Sequence, residues 1–472
     1  MADALASGAS RGSSVQVQVL LSAPKVTMLP IGSMVTFFFL IKRRHIILNS
    51  FNNYFIILLT FCIGGTNMKN EFKCSEKPVI KPMPGCSWAD TMVLNPAIIK
   101  DKESNDLLML FRATGPYAEK QLPTATCPPF PIFLGFAISH DNGETWDADF
   151  SRPCLAPAME YEIDKIKIKN YKGEMVTNYS NGCVEDPRIF ELEGKTYLTA
   201  ACRMFPPGPY FDRKCEVYDR SIGNTPQWVY TDESPFGDEA RKNPTITVLF
   251  EINLDKLKER KYEEAFTYVC PLTNGNIVDN RDVFFFPERM MIDGKLQYVM
   301  LHRPFNPNDF DSNIETTLPS VMIACAENLE DFAAGKSKDI MLEEAGTFHW
   351  STNRIGASYP PIRISEKEWL LPLHGKADEI GYTQSFYILE EQDNDFPKIT
   401  HRCSDRLMYA TQDWEMPDMF PDLCIFATAG IVVNDELIIS YGAADQYCGI
   451  SKVPFSKLVN YVRSFDVNGN KI

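Results

Sequence analysis

From Val79 onward the chain is written in short apolar or alternating runs, each closed by Gly, Pro, Asn or Asp. That cadence leaves room for little except a many-stranded all-β fold. Leu107–Phe111, Ile132–Ile138, Thr196–Cys202, Tyr298–Leu301, Trp369–Leu373, Phe386–Leu389, Ala429–Val433 and Glu436–Tyr441 all have strand length and strand composition. The longer 3.6-residue periodicity that would alternate with them in a βα protein is confined to Leu254–Ala265 and Pro454–Val462. Several runs carry a charged or polar residue at or near their end: Arg112, Arg303, His374 and Asp445. Sub-units of roughly 60–80 residues then suggest propeller blades, four-stranded sheets whose inner strands bring polar tips to one shared funnel.

Within this frame one segment stands out, Gly182-Cys183-Val184-Glu185-Asp186-Pro187-Arg188-Ile189. Proline fixes φ and removes a backbone donor, so Asp186 is expected at a rigid strand edge or turn, where its carboxyl can be aimed at one atom of a ligand. Arg112, Arg281, Arg303 and His374 stand in comparable settings elsewhere in the chain. One acid with several cations points to chemistry on an anionic co-substrate. Arginine suits that task because its planar fork gives bidentate, charge-assisted hydrogen bonds. Each residue also has a plainer reading: Asp186 as a turn residue, Arg303 in a structural ion pair, His374 as a satisfied core histidine, Asp445 as a turn cap. Glu185 is either a ligand contact or a partner for Arg188, and the pairing is the simpler expectation. Asp282 and Glu288 either join the site or pair with nearby arginines. Tyr117, Tyr210 and Trp350 are candidate stacking residues for which core packing is the better prior.

The formal net charge of -15 argues against a nucleic-acid partner, which calls for a basic footprint. A phosphate would need a local basic pocket. The 13 cysteines include no C-x-x-C pair. Cys202, Cys270, Cys325 and Cys424 lie in apolar runs, as buried free thiols do, so a reducing, cytoplasmic compartment is expected. The six histidines lack H-E-x-x-H spacing, and neither a P-loop nor a Rossmann fingerprint occurs, so no metal and no organic cofactor is expected. Residues 1–75 read differently from the rest and are set aside as a non-domain segment, either a signal or a non-native leader ahead of Met68. The apolar run Tyr54–Gly65 falls short of the roughly 18 residues that span a bilayer. An exported or lipid-anchored protein is the alternative if that segment is a true signal. Residues 76–472 form a single domain on this reading.

A turn at Ser139-x-Asp141-x-Gly143-x-x-Trp146 has the Asp-box form of sialidase-type propellers. Asp141 closes it through its side chain, Gly143 takes φ > 0 and Trp146 packs beneath, which is a structural rather than a catalytic device. More telling is a series of short motifs in a fixed order: Asn95-Pro96-Ala97, Leu110-Phe111-Arg112-Ala113, Glu185-Asp186-Pro187-Arg188, Asp279-Asn280-Arg281-Asp282 with Phe286-Pro287-Glu288, Met300-Leu301-His302-Arg303-Pro304, Ile355-Gly356 with Pro360-Pro361, Leu373-His374-Gly375, and Tyr441-Gly442-Ala443-Ala444-Asp445. Together, over Leu94 to Val462, they resemble glycoside hydrolase family 130, the β-mannoside phosphorylases and related β-mannosidases.

The resemblance implies a five-bladed β-propeller with a central active-site funnel. It implies Asp186 as the catalytic acid and Arg112, Arg281, Arg303 and His374 as the cationic group around phosphate. Asn95, Glu185, Arg188, Asp282 and Asp445 are implied as sugar ligands. Arg281 stands where many phosphorylases carry lysine, which keeps the charge and changes the geometry. Tyr117–Tyr179 and Pro206–Tyr262 are long for the family, which leaves the acceptor side open. The expected reaction is inverting phosphorolysis of a β-mannoside to α-mannose 1-phosphate and a shortened sugar, with inorganic phosphate as co-substrate. A β-mannosidase using water and a non-catalytic glycan-binding propeller are the alternatives. The expected partners are a β-mannoside oligosaccharide and phosphate, without a membrane span; a homo-oligomer is left open.

Overall fold

The strand-like runs pair into five antiparallel sheets that succeed one another along the chain as the blades of a five-bladed β-propeller. The structure, a computed structural model, describes residues 68–115, 131–160, 162–205, 243–275, 279–417 and 422–472, and the backbone strands Pro30–Ile31, Met34–Lys42 and Tyr54–Phe61. Those three strands form a small antiparallel sheet within the separate unit Met1–Asn67. The leader or signal reading of that unit, and the stacking candidates Tyr117 and Tyr210, fall outside the described residues.

The second unit runs from Met68 to Ile472. Blade 1 is built on Met92–Lys100, blade 2 on Cys183–Leu192, blade 3 on Asn280–Phe285, blade 4 on Arg354–Ala357 and blade 5 on Ile425–Val433 as the first strand of each. The last blade takes its outer strand from the start of the unit: Lys73–Cys74 pairs with Tyr447–Pro454 and so fastens the two ends of the propeller together. For that reason the domain starts ahead of residue 76. Both faces of a propeller blade are covered by neighbours, so its central strands are apolar on both sides. Phe284, Phe285 and Phe286 are accordingly all buried in sequence, and Trp350 and Trp369 are fully buried beside them. Trp350 donates to Ser404 O and is a core residue, not a sugar platform.

Both expected helical stretches are present in shorter form. Leu254–Ala265 is two helices, Leu254–Lys258 and Tyr262–Ala265. Asn253 caps the first by accepting from Lys256 N, and Arg260 ends it by adopting φ 57°. Phe455–Val462 starts after Pro454, which serves as its N-cap. The Asp-box turn forms as expected: Asp141 accepts from Thr145 N at 2.9 Å, Gly143 has φ 87°, and Trp146 Nε1 donates to Gly143 O. The ten described cysteines are free and mostly buried.

Candidate active site

The site is made by an irregularity repeated from blade to blade. The pairing of first and second strands slips between Leu94 and Ala97, between Glu185 and Arg188, between Arg281 and Phe284, and between Ala427 and Ala429. Such a bulge inserts an unpaired residue and re-aims its side chain. In the first three blades that residue is Asn95, Asp186 or Asp282, with φ of 46°, 52° and 55°. Asn and Asp tolerate the left-handed region better than other side chains. Pro96 and Pro187 follow two of them, where a missing backbone donor removes nothing from the ladder. The second strands repeat as well: Arg112 lies opposite Leu94, Arg303 opposite Arg281, and His374 opposite Gly356. Equivalent registers in successive blades are what bring distant residues together.

Asp186 accepts from Asn95 Nδ2 at 2.8 Å and from Arg112 Nη1 at 2.9 Å. The same Arg112 nitrogen lies 2.9 Å from Glu185 Oε2, and Glu185 Oε1 lies 3.7 Å from Arg281 Nη1. Arg281 also donates from Nε to Asp279 at 2.8 Å and from Nη2 to Thr245 Oγ1. A second group surrounds Asp282, which accepts from Arg188 Nη2 at 3.2 Å and from Arg303 Nε, with His374 Nε2 3.3 Å away. Arg188 joins the two groups: Nη1 donates to Asp186 O at 2.7 Å and Nε to Ser358 O at 2.8 Å. The approach is close enough that a Cβ on Gly356 would meet the His374 ring at 2.5 Å and Asp282 at 2.6 Å. A Cβ on Gly442 would sit 2.2 Å from Asn95 Oδ1. Both glycines belong to the ordered motifs, and these contacts give the physical reason for them.

Burial pushes the Asp186 carboxyl up, but Arg112, Arg188, Arg281 and the Asn95 amide overcome it and hold the acid below its usual value. Asp445 goes the other way. Its burial outweighs the opposing Arg112 and a Cys424 hydrogen bond, and Asp186 adds to the rise. Asp282, although buried, is held well below the carboxylate range by its cationic neighbours, Arg303 foremost.

All ten expected site residues therefore converge, yet several are placed differently from expectation. Glu185 does not pair with Arg188; the bulge between them sends it to Arg112 and Arg281, while Arg188 takes Asp282. Arg188 is 2 % exposed with its guanidinium engaged on three partners, so it braces the site rather than meeting a sugar. His374 is fully buried, and burial lowers its pKa despite the nearby Asp282, which disfavours the cationic form expected for it. Among the described residues, Arg112, Arg188, Arg281 and Arg303 are each paired with one or more of Glu185, Asp186, Asp279 and Asp282. Glu288 is remote and pairs with Arg363. Asp279, Thr245 and Ser358 escaped sequence reasoning. Asp279 alone had a signal, an acid two positions before an arginine in a turn.

Residues 240–464 match the family model described as beta-1,4-mannooligosaccharide phosphorylase. A 1,2-beta-oligomannan phosphorylase of Thermoanaerobacter sp. (strain X514) is 25% identical, over 80% of this chain and 95% of that protein. A beta-1,2-mannobiose phosphorylase of the same organism is 23% identical, over 82% and 98%. Among solved structures, the beta-1,2-mannobiose phosphorylase from Listeria innocua, in complex with beta-1,2-mannobiose, aligns with a TM-score of 0.55 at 17% identity, covering 83% of this chain and 99% of its own. The ordered motifs, the propeller and these relatives agree in likening the chain to glycoside hydrolase family 130.

Proposed function

We propose that this protein is an inverting β-mannoside phosphorylase, converting a β-mannosyl oligosaccharide and phosphate into α-mannose 1-phosphate and a shortened sugar. The observation that carries the reading is Asp186 held at 2.9 Å from Arg112 in a site that also gathers Arg281 and Arg303, while Glu185, Asp279 and Asp282 are each engaged by an arginine and burial raises the pKa of Asp445, so none of them stands as a free base for water. Inverting hydrolysis normally needs a second carboxylate to activate water across the sugar ring. Phosphate is already an anion, so a phosphorylase needs only to hold and aim it, which lowers the entropic part of the barrier.

In this mechanism Arg112, Arg281 and Arg303 hold phosphate below the anomeric carbon. His374, 3.3 Å from Asp282, keeps that acid and hence Arg303 in place. Asp186 supplies the proton to the leaving oxygen, through a sugar hydroxyl where direct reach is lacking. Without phosphate its arginine neighbours keep it ionised. A bound phosphate draws on Arg112 and Arg281 and adds negative charge beside the carboxyl, and both effects raise its pKa toward that of an acid catalyst. Asn95 and the half-buried Asp445 serve as ligands for hydroxyls of the mannosyl ring. The cysteine pattern supports a reducing, cytoplasmic setting.

The test is a synthesis-direction screen. Mannose 1-phosphate is offered with mannose, glucose, N-acetylglucosamine and short β-1,2- and β-1,4-mannans, and phosphate release is measured. Release that depends on acceptor supports the reading and identifies the linkage. No release with any acceptor, together with phosphate-independent cleavage of mannobiose, contradicts it in favour of a β-mannosidase.

A further inference from the structure

Glu185 has no part in the mechanism above, although it is 2 % exposed at the middle of the site. Its carboxylate reaches Arg112 Nη1 at 2.9 Å with one oxygen and stands 3.7 Å from Arg281 Nη1 with the other. Arg112 belongs to blade 1 and Arg281 to blade 3, so the carboxylate on blade 2 lies between two guanidinium groups from its neighbours. These are the two arginines with the most exposed side chains of the cluster, at 14% and 26%. The remaining acids have other duties. Asp279 is bound to Arg281 through Nε, Asp282 to Arg188 and Arg303, and Asp186 is the proton donor.

We propose that Glu185 is a resident anion that sets the affinity for phosphate: it occupies the place between Arg112 and Arg281, and incoming phosphate must share those two groups with it. The inference rests on the phosphorylase reading. Its physical basis is that a carboxylate within ion-pair distance neutralises the guanidinium groups and repels a second anion brought against them, in a site shielded from water. The resident charge holds the two forks apart and ready while lowering what phosphate gains on arrival. Glu185 is thus an affinity-setting residue acting through its arginines.

The sign of the effect distinguishes this from a merely structural role. Removing a structural brace would disorder the arginines and raise the KM for phosphate. Removing a resident anion lowers it. The experiment is phosphate-saturation kinetics of mannobiose phosphorolysis for wild type and Glu185→Gln, with calorimetric titration of inorganic phosphate into both. The expected result is a fall in phosphate KM and Kd of roughly tenfold or more, with a smaller change in kcat and an unchanged KM for mannobiose. An unchanged or raised phosphate KM overturns the proposal. Losing one partner of a buried ion pair can unfold a protein. If the amide variant does not fold, Glu185→Asp carries the test, because it withdraws the charge by one methylene. Tighter phosphate then supports the proposal, and unchanged or weaker phosphate overturns it. A wild-type enzyme without phosphate-dependent turnover refutes the phosphorylase reading instead, and the calorimetric comparison still decides the role of Glu185.

Discussion

The first strands of the blades are built differently at their two ends. At one end Asn95, Asp186 and Asp282 take left-handed conformations at bulges, and their partners are buried charges. Further along the same strands, Ile98, Ile99, Ile189, Phe190, Ala429 and Ile431 line an open pocket of about 450 Å³ that Pro287, Pro360, Pro361 and Trp369 also border. The charges there, Lys102 with Glu191 and Arg363 with Glu288, are solvent-exposed pairs. Exposed pairs contribute little to stability, whereas buried ones are expensive to break. The comparison shows one strand serving two purposes: its regular apolar end holds the blades together, and its irregular charged end is where specific geometry is bought at the expense of strain.

If that division is right, substitutions at the two ends fail in different ways. Asp186→Asn should lower phosphorolysis by roughly 10²–10⁴-fold in the molecules that stay folded, with some loss of melting temperature because Arg112 keeps only Glu185 as an ionic partner; kinetics per folded molecule beside a thermal melt separates the two effects. Arg281→Ala should raise the KM for phosphate by at least about tenfold, with a smaller change in KM for the mannoside. Ile189→Ala, only a few residues from Asp186, should cost about 2–4 kcal/mol in denaturant unfolding and leave kcat per folded molecule unchanged. A loss of kcat there would break the division. Glu288→Gln should change stability by less than about 1 kcal/mol and leave every kinetic constant alone.

The acid side of the stability profile sharpens the same contrast. Asp186, Asp279 and Asp282 have folded pKa values below their unfolded ones. Their contribution is complete above the unfolded carboxylate value of about 4 and is lost as pH falls toward the folded values. His374 is also lowered, so it begins to disfavour the folded state below about 6.5, its unfolded value. Stability should therefore start to fall below about pH 6.5 and more steeply below about pH 4. A His374→Gln variant should make the first part shallower still without removing it, because His401 is also lowered by burial, and should leave the steep part unchanged, as read from urea midpoints at successive pH values.

The strands were legible because their apolar runs are short and bounded by turn residues, and the helices because period and capping agree. The identity of the charged residues was also legible, since Asp186-Pro187 and Asn95-Pro96 mark positions where the backbone departs from the ladder. Their partners were not. Sequence proximity suggested Glu185 with Arg188, but a bulge reverses which face each side chain takes, and one inserted residue was enough to send Glu185 to two other blades. The lowered pKa of His374 was hidden for a related reason, because it depends on burial created by blades 3 to 5 together, with the Phe426 ring tilted against it at 4.5 Å and Asp282 3.3 Å from Nε2. Ser358, which holds Arg188 only through its carbonyl oxygen, left no trace in side-chain chemistry at all.

The proposal that one proton donor and a set of arginines act on a mannoside with phosphate is tested most directly by following β-1,2- and β-1,4-mannobiose with the purified protein in the presence and absence of inorganic phosphate, with phosphorus NMR to detect the product. The account predicts α-mannose 1-phosphate as the product, formed only when phosphate is supplied and at least about 10²-fold more slowly in Asp186→Asn. Free mannose released at the same rate without phosphate, or α-mannose 1-phosphate still formed at full rate by the Asp186 variant, would contradict it.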